Sequence, residues 1–379
     1  MIKNGESIMS YVESIRVAFI AFPFIAFLFT IPFILHNYHK YGSIHFLRVF
    51  IIYTFILYLI TIYFLVILPL PTFSEALENT GPYINYIPFK FVFDFTRETP
   101  FVWNDPSTYI KTITDSSFYV VLFNIFMFVP LGMYLRYYFK CNFKKTVLYS
   151  FLLSLFFELT QLTGLYFIYP NPYRLCDVDD LIQNTLGGIL GFLIMGWLDN
   201  YLPSRDTIDE EAVRKGEEVS GLRRITVFFL DLFLYFIFTA LLSIFVREYL
   251  FLISFLIYYA IYPFVRKDAT IGMKFLNVKM EYKRLDFLFN ILRYLFLFFY
   301  YFVFPLGLLM GATYIRSYFE LQNITFLLYG SIALFILLFY LINFILLIKN
   351  KRMFYDQLFG MKFVSTIWMK WYGKDDVKF

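Results

Sequence analysis

The stretch LRVFIIYTFILYLITIYFLVIL, residues 47–68, decides the fold class, because its only charge is Arg48 at the start. At 1.5 Å of rise per residue, a helix of this length crosses a hydrocarbon layer roughly 30 Å thick. Eight more runs share its character, at 17–35, 117–136, 147–168, 181–198, 225–246, 250–265, 286–312 and 324–348. Composition agrees: 60% of the 379 residues are hydrophobic and 16% are charged, with a mean hydropathy of +0.65. That exceeds what a soluble chain needs to fill its core. The expected fold is all-α, a polytopic transmembrane helical bundle of nine spans in two halves.

Loop charge orients the spans. The loop after the first span carries Lys40 and Arg48 without an acid, and the next short basic loop has Arg136, Lys140, Lys144 and Lys145. Both belong on the cytoplasmic side, where Lys and Arg accumulate. Segment 69–116 instead holds three basic residues (Lys90, Arg97, Lys111) against six acidic ones (Glu75, Glu78, Asp94, Glu98, Asp105, Asp115), which suits the outer face. The tail, with Lys349, Lys351, Arg352, Lys362, Lys370, Lys374 and Lys378, returns inside. An odd number of spans then puts the N-terminus outside. The polar stretch 199–223 reads as a cytoplasmic linker between a five-span domain, 1–198, and a four-span domain, 224–379.

The two cysteines, Cys141 and Cys176, fall on opposite sides in this topology and are too few for a disulfide framework or a thiolate metal site. His36, His39 and His45 gather after the first span and read as a solvated loop; no metal or cofactor is expected. The net charge of +5 sits in loops beside spans and comes with no nucleic-acid motif, so membrane lipids, not nucleic acid, are the expected partners.

Polar residues inside spans cost roughly 2.5–3.5 kcal/mol for a central charge, so each needs a reason. Asn124 falls roughly 10 Å below the outer surface of its span. Glu158 and Gln161, three apart, share a helical face near that depth, and Asn184 lies in the first turns of the following span. Above them the loop Arg174-Leu-Cys-Asp177-Val-Asp179-Asp180 supplies three carboxylates and one guanidinium. The pattern fits an outward-facing polar site of Asn124, Glu158, Gln161, Arg174, Asp177, Asp180 and Asn184. It equally fits helix glue, with Arg174 paired to Asp177 or Asp180 and with Asp179 or Asp180 capping the next helix. In the second half, Arg224 can snorkel to the interface, while Asp231 and Arg293 match in depth and read as a buried ion pair.

Asn124-Ile-Phe-Met-Phe-Val-Pro130-Leu131-Gly132, Glu158-Leu-Thr-Gln161, Arg174-x-x-Asp177-x-x-Asp180 and Asn184-Thr185-Leu-Gly187-Gly188, with Tyr86-Ile-Pro88-Phe89 before them, resemble the VanZ family of bacterial membrane proteins over residues 40–200. The resemblance implies a cell-envelope protein of the cell membrane, in a family whose founding relatives give low-level resistance to the glycopeptide antibiotic teicoplanin. Arg224, Asp231, Asp268-Ala-Thr270-Ile-Gly272, Arg293 and Asp356-Gln-Leu-Phe-Gly resemble the RDD family over 220–366, with Met273 standing where that family often has Lys. This implies a second domain for which cation transport has been suggested in some relatives.

No P-loop, HExxH or nucleophile elbow appears. The leading expectation is therefore a non-catalytic protein that binds or screens an amphipathic ligand at the outer leaflet, such as a lipid-linked cell-wall precursor or a lipoglycopeptide. The alternatives are an intramembrane enzyme acting on a lipid-linked headgroup, with Glu158 as base, and a cation or proton exchanger using Asp231 and Arg293.

Overall fold

The computed structural model describes residues 4–266, 269–282, 286–318 and 325–371. Asp268, Lys374 and Lys378 lie outside them. The chain forms two compact units, Met1–Thr30 with Phe46–Ile208, and Ile31–His45 with Asp209–Phe379. The protein is an all-α membrane protein. Large apolar side chains such as Phe24, Phe27, Leu28 and Phe326 stand exposed, the reverse of a soluble surface and the arrangement that lipid requires.

Helix α1 (Asn4–Tyr41) is shared by the two units. It runs past the expected end at 35, so His36 and His39 are helical, not in a loop. The first unit continues with α2 (Phe46–Ile67), a short surface helix α3 (Lys90–Glu98), α4 (Ser116–Tyr137), α5 (Phe143–Leu162) and α6 (Val178–Leu198). Side-chain caps fix the starts of the last three. Asp115 accepts from the Ser117 N–H, Asn142 from Lys145 and Asp177 from Asp179, each satisfying a donor that a first turn leaves without an intrahelical partner.

Helices α4 and α6 meet backbone to backbone. A Cβ added at Gly191 would lie 1.9 Å from the Val129 carbonyl oxygen, and one at Gly187 2.1 Å from that of Ile125. Glycine is thus required at the seam. Ile62, Phe128, Leu131, Leu135 and Phe157 form the apolar core beside it.

The second unit holds most of α7 (Arg205–Gly216), then α8 (Gly221–Leu242), α9 (Leu250–Val265), α10 (Asp286–Phe298, continued through a π-helical turn, Phe299–Val303, into Phe304–Tyr318) and α11 (Thr325–Ile348). An antiparallel pair, β1 (Val278–Tyr282) with β2 (Met361–Ser365), registers Met280 opposite Phe363. Together with Tyr38, Val227, Met273 and Leu276 it forms a small core. The stretch expected as a linker is ordered. Ile208 of α7 packs with Ile51 and Tyr138 in the first unit, while Ala212 and Val213 pack with Tyr41 in the second.

Among the described residues seven helices have the length and hydropathy to cross a membrane: α1, α2, α4, α6, α8, α10 and α11. The other two expected spans also exist as helices. Helix α5 carries Lys144, Lys145, Glu158 and Gln161, which lower its hydropathy, and α9 is shorter than the rest.

Candidate functional site

The polar residues of the first unit converge where α5 ends and α6 begins. Thr146, Ser150, Ser154 and Glu158, all buried, recur every four residues along α5 and so form one stripe. Glu158 is only 2% exposed. Its carboxylate accepts the Asp177 N–H at 2.9 Å and the thiol of Cys176.

Asp177 has two tasks. Its Oδ1 accepts both the Asp179 N–H that starts α6 and the amide of Asn85, each at 2.8 Å. A parallel bridge pairs Ile84 and Asn85 with Cys176 and Asp177 and holds this corner. The cap of α6 is therefore Asp177, not Asp179 or Asp180. Asp179 is turned the other way, and its two carboxylate oxygens accept the N–H groups of Phe89 at 2.6 Å and Phe91 at 2.9 Å. It thereby ties the start of α3 to the start of α6.

Asp180, half-buried, accepts from the Asn124 amide at 2.7 Å, and the same amide nitrogen donates to Gln183 at 3.0 Å. Asn184 donates to Ser154 at 2.9 Å, while its own carbonyl oxygen and the Ser150 hydroxyl are buried without a hydrogen-bond partner. Glu158, Asp177, Asp180 and Asn124 are thus brought together, with Asn184 one layer below.

Two residues expected in the site do something else. Arg174 forms no ion pair with Asp177 or Asp180; it donates to the carbonyls of Val66 at 2.8 Å and Leu68 at 3.1 Å. Gln161 donates to the same Val66 carbonyl at 3.0 Å. Both satisfy carbonyls that the end of α2 leaves free. Residues not singled out from the sequence include Asn85, Ser154 and Gln183. The four-residue step from Ser154 to Glu158 was the readable signal for one of them; Asn85 is 92 positions from Asp177 and gave none.

The cluster is rich in carboxyl groups, and none of Glu158, Asp177 and Asp180 forms an ion pair among the described residues, because Arg174, the guanidinium of the same loop, is occupied by carbonyls. The neighbouring Cys176 thiol is affected by them: burial first, then Glu158, pushes it up to about 11. Among the described residues, no group of three or more His, Cys, Asp and Glu side chains is placed to hold a metal ion.

In the second unit the expected Asp231–Arg293 ion pair does not form. Arg293 pairs instead with Asp356, from Nη2 at 3.0 Å and Nε at 3.3 Å, and Arg224 donates to the other oxygen of the same carboxylate. Arg224 is thus an ion-pair partner, not a free interfacial cation. Both guanidinium groups also lie over the Phe363 ring, at 4.4 and 5.4 Å.

Depth matching failed here because Asp356 arrives from a short helix after the last span, a return that span bookkeeping does not follow. Asp231 is held by neutral donors, Tyr258 at 2.8 Å, Thr270 at 2.5 Å and the Gly272 N–H at 2.8 Å. A Cβ at Gly272 would sit 2.7 Å from its Oδ1. Arg223, fully buried, was not anticipated; it donates to the carbonyls of Gly216, Leu276 and Asn277 and to the Ser365 hydroxyl.

His39 and His45 have separate partners. His39 Nδ1 lies 2.6 Å from the Phe275 carbonyl oxygen, and His45 contacts Glu211 at 3.0 Å. The chain matches no curated protein and no solved structure. Residues 55–199, the segment that contains every member of the carboxylate cluster, match the family model described as VanZ/LLP1, and this part of the chain is VanZ-like.

Proposed function

We propose that the VanZ-like part binds the charged headgroup of an amphipathic molecule at the outer leaflet, in an envelope protein that gives low-level resistance to teicoplanin-like glycopeptides. The observation that carries this reading is the unbalanced carboxylate cluster. Glu158, Asp177 and Asp180 are held in place by backbone N–H groups and amides and form no ion pair among the described residues. Carboxyl groups crowded in a low-dielectric site without a cation favour the arrival of a cationic group, which stabilises their ionised form. An amphiphile presenting an amine fits best.

The topology that goes with this has nine spans, counting α5 and α9, with the N-terminus outside and the α7 region and the tail inside. The run of Lys140, Lys144 and Lys145 at the opposite end of α5 from Glu158 supports it. The second unit is proposed to be RDD-like. Arg224 and Asp356, which carry that resemblance, meet in its ion-pair clamp, and Asp231 is buried among neutral donors.

The test is conservative removal of charge. Glu158→Gln and Asp180→Asn should abolish any resistance phenotype while the protein still accumulates in the membrane. Unaltered resistance in both variants, or loss of protein in step with loss of resistance, would make the cluster structural and end this reading.

A further inference from the structure

Outside the spans, the first unit displays apolar surface with nothing in the described chain over it. Tyr86 is 78% exposed, Phe93 69%, Trp103 79% and Ile110 76%, with Ile87, Phe89, Val92, Val102 and Ile113 between them. Segments joining helices in water do not carry a patch of this kind, which far exceeds the scattered apolar residues of an ordinary surface.

Its inner side is already packed. Phe95 lies against Phe101 and Phe118, with ring centroids 5.8 and 6.0 Å apart, and Asp179 fixes the first turn of α3. The outward residues are therefore aimed away from the protein as a consequence of that packing, not left over from loose structure.

We infer that residues 86–113 lie in the interfacial layer of the bilayer, with Tyr86, Phe93, Trp103 and Ile110 set among the headgroups and upper acyl chains of membrane lipids. Three observations choose lipid over a protein partner. The segment is anchored at both ends to membrane-spanning helices, α2 and α4, so it is held at the bilayer surface. It packs on the start of α4 through Phe95 and Phe118, and that helix then exposes Val120, Leu122, Phe123 and Phe126, which face the hydrocarbon in any case. Finally, Lys90, Asp94, Arg97 and Glu98 recur along one side of α3 with Phe93 at its margin, while Phe91, Val92 and Phe95 occupy the other, and Trp, Tyr and Phe dominate the rest. That is the composition of a helix lying in an interface.

Assignment to the outer leaflet rests on the topology proposed above; the lipid contact itself does not. One consequence concerns access. Asp179, which holds α3, adjoins Asp180 of the carboxylate cluster, so the cluster lies beside a membrane-embedded rim. A ligand with an apolar tail then reaches it by diffusing within the leaflet.

The experiment uses full-length protein in nanodiscs of phosphatidylglycerol and phosphatidylcholine. In the W197F/W368F/W371F variant Trp103 is the sole tryptophan; phosphatidylcholine brominated near the top of its acyl chains should quench it strongly, and aqueous iodide weakly. A nitroxide at I110C in a C141S/C176S background should give the same answer by oxygen against aqueous nickel relaxation. Ready quenching of Trp103 by iodide with no effect of brominated lipid, or a nitroxide relaxed only by the aqueous reagent, would overturn the inference. Resistance assays of Glu158 variants are untouched by either outcome, so failure here and failure of the binding-site reading are distinguishable.

Discussion

The two units bury acidic groups in opposite ways. Around Glu158 and Asp177 the donors are backbone N–H groups, an amide and a thiol, whereas Asp356 is clamped between the guanidinium groups of Arg224 and Arg293. A carboxyl group held by neutral dipoles still lacks a cationic partner. One flanked by two guanidinium groups does not. The contrast teaches that buried acids are not equivalent evidence of function: the guanidinium clamp is accounted for as structure, whereas the neutral-donor cluster leaves its carboxyl groups without an ion partner. Asp231 shows that the distinction follows local partners and not the unit, since it belongs to the second unit yet is held by a tyrosine, a threonine and an N–H.

The sharpest way to break this contrast is at the clamp. Asp356→Ala leaves two guanidinium groups buried without their carboxylate and should destabilise the second unit by about 3–5 kcal/mol, read as a fall in its thermal unfolding or protease resistance. In double-mutant cycles Arg293 and Asp356 should couple strongly and Arg293 and Asp231 weakly. The reverse order would restore the pairing expected from depth alone.

Next in size is the α4–α6 seam beneath the cluster. Gly191→Leu forces the helix backbones apart and should cost about 1–3 kcal/mol or more, measured by unfolding in detergent, with the second unit unaffected. Asp179→Ala removes the acceptor of two N–H groups at the start of α3 and should cost about 1–3 kcal/mol. Faster proteolysis confined to 86–113 would report it, and unchanged cleavage would mean that the tie carries no weight.

The smallest effect is a rate. With the Cys176 thiol pushed up to about 11, only about one thiol in a thousand is ionised at pH 8, so alkylation of Cys176 should be slow and should accelerate with rising pH. Glu158→Gln removes a negative neighbour, lowers that value and should speed the reaction at pH 8. Equal rates in the two proteins would mean that Glu158 contributes no field, and the neutral-donor cluster would lose its electrostatic meaning.

Much of the architecture was legible because membrane spans are written as uninterrupted apolar runs, and the runs at 47–68 and 117–136 needed no partner to be recognised. The site was legible to the extent that its residues were local. Glu158, Asp177 and Asp180 lie within one helix–loop–helix, and spacing alone placed them together. Arg174 was misjudged for a physical reason: charge complementarity suggests a carboxylate partner, but the free carbonyls ending α2 competed successfully and left no mark in the sequence near it. Asp356 was misjudged because it reaches Arg293 from a helix turn beyond the last span. Ile208 and Ala212 were hidden by the density of charge around them, although their four-residue spacing marks a buried face.

The division of α1 bears on how the chain is made. Its first part belongs to one unit, and its last turns, through Tyr38, His39 and Tyr41, find their partners among residues 209–223, 269–280 and 361–371. At ordinary synthesis rates those partners emerge on the order of tens of seconds after α1 has left the ribosome. Helix α1 therefore reaches the membrane well before its last turns are completed. Until then a tyrosine-rich, histidine-bearing end waits uncovered.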